Sequence, residues 1–209
     1  MEVTAHLFRT LASLPRMRIL RLLAVLDECN VVSIADALGT RPYNVSAHLK
    51  ILASAGLVWR RRSGRVVYYR LAENPASPLT RGCLELLRSI YARVRVRAPK
   101  RIASCSQGSS NVFADAAIFR DVTAFTHPRR LQLIRCLHND GPSSVGVLAR
   151  QLRMSLPACQ RHIDKLERRG FLVMTKRGRT MACTLATDLD EVQTTLLGLV
   201  LERLTGHSQ

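Results

Sequence analysis

Apolar residues fall at Val3, Leu7, Leu11 and Leu14, the spacing of one helical face, and Met17, Ile19, Leu20 and Leu23 begin a second amphipathic helix. Ser33 with Asp36 three positions on resembles a capping box. It predicts a short third helix through Ile34, Ala37 and Leu38 that stops at Gly39. Thr40 then stands where it could cap a fourth helix, with Pro42 in the first turn and Val45, Leu49 and Leu52 along the inner face up to Gly56. Residues 58–62 and 66–71 are β-rich runs joined at Ser63-Gly64, which predicts a hairpin. A last helix is expected over 79–96, carrying Leu84, Leu87, Ile90, Tyr91 and Val94.

This pattern occurs twice. Shifting the sequence by 114 residues sets Arg16 on Arg130, Arg21 on Arg135, Leu38 on Leu152, His48 on His162, Leu52 on Leu166, Gly56 on Gly170 and Gly64 on Gly178 without a gap. A repeat of that length means two similar domains, not a solenoid. Residues 98–111 hold Pro99, Lys100, Arg101, Gly108 and several serines without apolar periodicity, and they read as a linker. The expected organisation is a domain over 1–97, a linker over 98–111 and a more divergent domain over 112–209. The fold class is mainly α with small β-hairpins (α+β), as two tandem winged helix-turn-helix domains. Helices are expected in the second copy over 113–125 and 189–204.

Charge narrows the partner. The chain carries 32 Lys and Arg against 15 Asp and Glu, a net charge of +17, which favours a polyanion through counterion release. Residues 1–97 hold 16 basic and 6 acidic side chains, against 14 and 9 in 112–209; a nucleic acid is the leading polyanion, and the first copy should grip it harder. No apolar stretch approaches the ~20 residues of a bilayer span, and no secretion-signal pattern opens the sequence. The six cysteines form no CxxC or CxC pair, which argues against a zinc ribbon or disulfide framework and for a reduced, cytoplasmic setting.

Two short helices around a glycine turn form a helix-turn-helix, whose second helix enters the major groove. The segment Asn44-Val45-Ser46-Ala47-His48-Leu49-Lys50, followed by Leu52 and Ala55-Gly56-Leu57-Val58, resembles the signature of ArsR/SmtB-type regulators. So do the wing Gly64-Arg65-Val66-Val67-Tyr68-Tyr69-Arg70-Leu71 and Arg16-Met17-Arg18-Ile19-Leu20. The second copy is similar through Gln160-Arg161-His162-Ile163, Leu166 and Arg169-Gly170-Phe171-Leu172-Val173. Its wing has Thr180, Met181, Ala182 and Cys183 where the first has Val66, Val67, Tyr68 and Tyr69. The resemblance implies a sequence-specific transcriptional regulator, a repressor, that binds double-stranded DNA as a homodimer through its first and last helices. In this chain the two copies are expected to form an intramolecular pseudo-dimer, with pairing of whole chains as the alternative.

The inward positions of the recognition helices leave Tyr43, Asn44, Ser46, Ala47 and Lys50 to face DNA in the first copy. In the second they leave Pro157, Ala158, Gln160, Arg161 and Asp164. His48 and His162 occupy a motif position that the resemblance assigns to a phosphate or structural contact, and a lone histidine without convergent ligands does not make a metal site. Arg60, Arg62 and Arg65, with Lys165, Lys176, Arg177 and Arg179 in the second copy, complete the expected DNA contacts. A charge run is ordinarily a solvated face, but beside a recognition helix it meets the phosphate backbone. Many regulators that the chain resembles sense metals through paired cysteines before the recognition helix or Asp/His sets on the last helix. Neither set is present, so no metal and no cofactor are expected, and the scattered cysteines read as small buried hydrophobes. No nucleophile, base and orienting partner share a pattern, which excludes an enzyme reading. The rival from another class is a winged-helix scaffold that binds protein and not DNA.

Overall fold

The computed structural model describes residues 1–97, 109–177 and 180–206. The first copy begins with α1 (Glu2–Leu11), whose buried stripe is Thr4, Ala5, Leu7, Phe8 and Leu11, while Val3 stands 72% exposed. Leu14 does not extend this helix. It opens α2 (Leu14–Leu26), because Pro15 has no N–H to give and fits only the first turn of a new helix. Arg16 Nε donates to the Thr10 carbonyl, and at the matching place Arg130 Nε donates to Ala124 O at 2.6 Å. The repeat thus keeps an arginine that satisfies a carbonyl just ahead of the helix it stands on.

A short strand that the apolar pattern does not reveal, β1 (Glu28–Asn30), precedes α3 (Val31–Leu38). The cap of α3 is Asn30, whose Oδ1 accepts from Ser33 N at 2.9 Å, so Ser33 lies inside the helix it was expected to cap. Gly39 ends α3 in the left-handed region at φ 61°. Arg41 holds the N-cap position of α4 (Pro42–Ser54) without a side-chain cap, and the Thr40 hydroxyl instead accepts from Asn44 Nδ2 at 3.5 Å. The hairpin forms as expected from β2 (Val58–Ser63) and β3 (Val66–Leu71), turning at Gly64 with φ 60°. Antiparallel pairing of β1 with β3 completes a sheet of order β1-β3-β2, and α5 (Pro78–Arg97) follows.

The second copy repeats the order with α6 (Ser109–Val122), a 3-10 turn (Thr123–Phe125), α7 (Pro128–Asp140), α8 (Val145–Gln151), α9 (Leu156–Glu167), a hairpin of β4 (Leu172–Arg177) and β5 (Thr180–Leu185), and α10 (Glu191–Thr205). Ser144 and Ser155 cap α8 and α9, and Asp190 with Gln193 forms a full capping box on α10. The predicted linker lies outside the described residues over 98–108, and its last three positions, 109–111, belong to the first turn of α6. Among the described residues no helix is long and apolar enough to cross a membrane.

The chain forms two compact units, and they do not follow the sequence copies. One is Thr10–Phe119; the other joins Met1–Arg9 to Arg120–Gln209. Most of α1 therefore belongs with the second copy, and most of α6 with the first.

In the unit of the first copy, Met17, Leu20, Leu23, Ile34, Leu49, Leu52, Leu57, Leu84 and Tyr91 form the core. Asp115, brought by α6, is buried within it. Its carboxylate accepts from the Tyr91 hydroxyl at 3.1 Å, and its Oδ2 lies 3.0 Å from Arg21 Nη1 as an ion pair, although not aligned as a hydrogen bond. Burial pushes the Asp115 carboxyl up, against the pull of Arg21 and Tyr91.

The unit of the second copy is built on aromatic contacts. Phe8 of α1 lies 5.0 Å from Phe125, which meets Phe171 edge-on at 4.7 Å. Leu131, Ile134, Leu148, Ile163 and Leu166 fill the rest.

Candidate nucleic-acid interface

On α4, Val45, Leu49 and Leu52 are buried, which fixes the rotation of the helix. Tyr43 is then 82% exposed, and Asn44, Ser46, Ala47 and Lys50 are exposed on the outer face. These are the short polar and basic side chains that base edges and phosphates can meet. His48 is half-buried, and its Nδ1 makes no hydrogen bond among the described residues. Burial and then the charge of Arg16 push its pKa below the usual value, which leaves a neutral imidazole midway along α4.

Strand alternation sorts the wing arginines into two sets. Arg61 is paired across the hairpin with Tyr68, stacks on its ring at 5.5 Å, and grips both carboxylate oxygens of Glu28 on β1 at 2.9 and 3.2 Å. That hydrogen bonding holds the Glu28 carboxyl below its usual range. Arg70 lies over Trp59 at 4.6 Å and reaches Glu73 at 2.8 Å. These two arginines brace the wing against its base. Arg60 and Arg62 alternate to the other side, and Arg62 Nε donates to Gly64 O at 3.1 Å across the turn. Arg60, Arg62 and Arg65 are exposed and carry no ion pair among the described residues. The bracing partner Glu28 went unnoticed in the sequence because β1 is three residues long.

On α9 the inward set is Cys159, Ile163 and Leu166. Pro157, Gln160 and Arg161 are exposed, whereas Ala158 and Asp164 are half-buried. The Gln160 amide donates to Asp164 Oδ1 at 2.6 Å, which ties the residue expected to read adenine to its own helix. His162 is half-buried beside His127, their ring centroids 4.5 Å apart. Burial, His127 and neighbouring arginines bring the His162 pKa down to about 4. Lys165 is half-buried, Lys176 exposed on the wing, and Arg177 closes β4; Arg179 lies outside the described residues.

Among the described residues no three His, Cys, Asp or Glu side chains converge to hold a metal ion. Cys29, Cys83, Cys159 and Cys183 are buried, and burial pushes the Cys83 and Cys183 thiols up to about 12. Such thiols are poor nucleophiles and poor ligands.

Two helix-turn-helix units, each followed by a hairpin wing, define the class of winged helix-turn-helix proteins. A helix-turn-helix domain family matches residues 15–60 and 125–175, at nearly corresponding places in the two copies. The chain is 42% identical over 74 residues to the HTH-type transcriptional repressor SmtB of Mycobacterium tuberculosis, covering 35% of this chain and 54% of that protein. It is 33% identical over 93 residues to an uncharacterized HTH-type transcriptional regulator of the same organism, covering 44% of this chain and 78% of the relative. The arsenical resistance operon repressor of Escherichia coli is 38% identical over 67 residues, with 32% and 57% covered. The chain belongs to the ArsR/SmtB-type helix-turn-helix transcriptional regulators, with the domain duplicated in tandem. It spans about half the length of two of these three relatives.

Proposed function

We propose that this protein is a DNA-binding transcriptional repressor of the bacterial cytoplasm, associated with the nucleoid, and that its action is regulatory and not catalytic. The observation that carries the reading is the outer face of α4 beside the wing: Tyr43, Asn44, Ser46, Ala47 and Lys50 next to Arg60, Arg62 and Arg65, all exposed. With a net charge of +17 behind it, that surface suits the major groove and its flanking phosphates. The second copy adds Arg161, Lys176, Gln160, His162, Lys165 and Arg177.

The two copies act as an intramolecular pair, so a single chain supplies both recognition helices. The exchange of first helices supports this: Asp115 on α6 serves Arg21 and Tyr91 of the first copy, and Phe8 on α1 serves Phe125 and Phe171 of the second.

Binding of the full chain to a labelled duplex, measured across a salt series, tests the reading. A steep loss of affinity is expected, with a slope fitting roughly 6–10 neutralised phosphates. Replacing Arg60, Arg62 and Arg65 together with Gln should flatten that slope by about three. Undetectable duplex binding at low salt, alongside tight capture of a protein partner, would establish the scaffold reading instead.

A further inference from the structure

Where α9 meets the start of α7, His162 of the DNA-binding reading has a neighbour that the reading does not use, His127. His127 holds the N-cap position of α7, where its Nδ1 accepts from Arg129 N at 3.1 Å. In the neutral ring its Nε2 therefore carries the proton and is a donor. His162 lies against it with rings 4.5 Å apart and tilted by 42°. The charged groups acting on the pair are Arg129 and Arg130 on α7, Arg161 on α9, and Arg9 and Glu2 on α1. Arg9 and Glu2 themselves pair at 3.6 Å, so three arginines of the second copy face two imidazoles that have no carboxylate on α7 or α9 beside them. The first copy keeps His48 but has Ser13 where the second has His127, so the imidazole pair belongs to the second copy alone.

We propose that His127 and His162 together seat one phosphate of the DNA backbone, and that a proton from solvent is taken up by His162 when the phosphate arrives. The proposal rests on the DNA-binding reading and adds a site and a regulation to it. Two adjacent imidazoles among arginines stay neutral while no anion is present, since burial and the like charge of Arg129, Arg130 and Arg161 outweigh the one opposing charge, Glu2, at His127. The His162 pKa of about 4 in the free protein, against the ordinary 6.5, and the lowering at His127 agree with this. A phosphate reverses the local field and makes the imidazolium favourable. The proton goes to His162 because protonating His127 at Nδ1 would break its cap on α7. The His127 Nε2–H, the His162 imidazolium and Arg129 or Arg161 then supply the donors that a phosphate accepts.

The consequence is DNA affinity that strengthens as pH falls. The gain is up to about tenfold per pH unit where one proton is taken up, and it vanishes above the pKa of the bound state. Fluorescence anisotropy of the full chain with a labelled duplex, from about pH 8 to about pH 5.5 at constant ionic strength, reads this directly. His162→Gln should bind with little pH dependence. His127→Ser installs the first copy's residue, keeps a side chain able to cap α7, and should lose most of the dependence while folding normally by circular dichroism. Wild type and His162→Gln showing the same pH slope, or a wild type whose binding ignores pH, would overturn the proposal and leave DNA binding intact. Failure to bind duplex at every pH would sink the DNA reading itself.

Discussion

The helices α4 and α9 share an inward face and a histidine at the same repeat position, yet their outer faces differ in chemistry. On α4 Tyr43 and Lys50 stand exposed and Asn44 reaches Thr40 only at 3.5 Å, whereas on α9 Gln160 is held to Asp164 at 2.6 Å and Leu156 is 58% exposed. The wings diverge more: where the first copy has Arg60, Arg61 and Arg62, the second has Met174, Thr175 and Lys176. Val67 and Tyr68 become Met181 and Ala182. Core positions of the helix-turn-helix, such as Leu20, Ile34, Leu49 and Leu52 against Ile134, Leu148, Ile163 and Leu166, kept their apolar character through this divergence, because a core residue answers to many neighbours at once. Exposed positions answer only to a ligand. A duplicated domain can therefore keep its fold while its two binding faces take different work.

The largest expected effect concerns the buried ion pair of Arg21 with Asp115 on α6. Asp115→Leu strands Arg21 in a site where its side chain is 12% exposed, and it should cost about 3–5 kcal/mol of unfolding free energy. Replacing Arg21 and Asp115 together with Leu should cost much less, since no charge is then left unpaired. The second copy supplies the contrast: Arg135, at the place of Arg21, is exposed, so Arg135→Leu should stay within about 0.5 kcal/mol. Denaturant titration of the four proteins checks this ranking. Equal losses from Asp115→Leu and Arg135→Leu would show that the buried pair is not what distinguishes the units.

Next in size is base readout. Asn44, whose amide reaches Thr40 only at 3.5 Å, can bond bidentately to adenine, and Arg161 to guanine, while the Gln160 amide is held more closely, to Asp164 at 2.6 Å. Asn44→Ala and Arg161→Ala should each lower discrimination by ~1–3 kcal/mol, at different base pairs of one asymmetric site. Selection of bound sequences from a random pool with each variant would reveal this. If one substitution relaxed both halves of a palindrome equally, two chains would be pairing through their first copies.

The helix-turn-helix and the wing were legible because their signals are local: glycines at turns, apolar spacing along helices, and alternation in strands. Gly39 and Gly64 both adopt the positive φ that the sequence led one to expect. The caps were less legible. Ser33 and Asn30 are both good capping residues, and only the start of α3 after a three-residue strand decides between them. Three features of the fold and site depend on contacts distant in sequence: Arg61 with Glu28, Tyr91 with Asp115, and His127 with His162. No periodicity announces such pairs. The helix exchange escaped for the same reason, since an amphipathic α1 presents the same apolar stripe whichever copy it covers.

The smallest effect tests the turn between the two helices of each motif. Gly39 holds φ 61°, and Arg153, at the matching position, holds φ 49°, where an L side chain is strained. A Cβ built on Gly39 meets nothing within 4 Å, so Gly39→Ala tests backbone handedness without steric interference. It should destabilise by about 1 kcal/mol. Arg153→Gly should act in the other direction, although part of the relief is returned because glycine also loosens the unfolded chain. A net gain of roughly 0.5 kcal/mol is expected. Trp59 is the chain's sole tryptophan and lies on the first copy's wing, so its fluorescence follows that unit, while circular dichroism follows both. The fluorescence transition should move to lower denaturant in Gly39→Ala and stay in place in Arg153→Gly, whose gain should appear only in the dichroism. Opposite signs at the two positions would mean that the second copy accepts strain at this turn that the first avoids. If Arg153→Gly instead weakened the fold, the arginine side chain would be contributing more than its backbone costs.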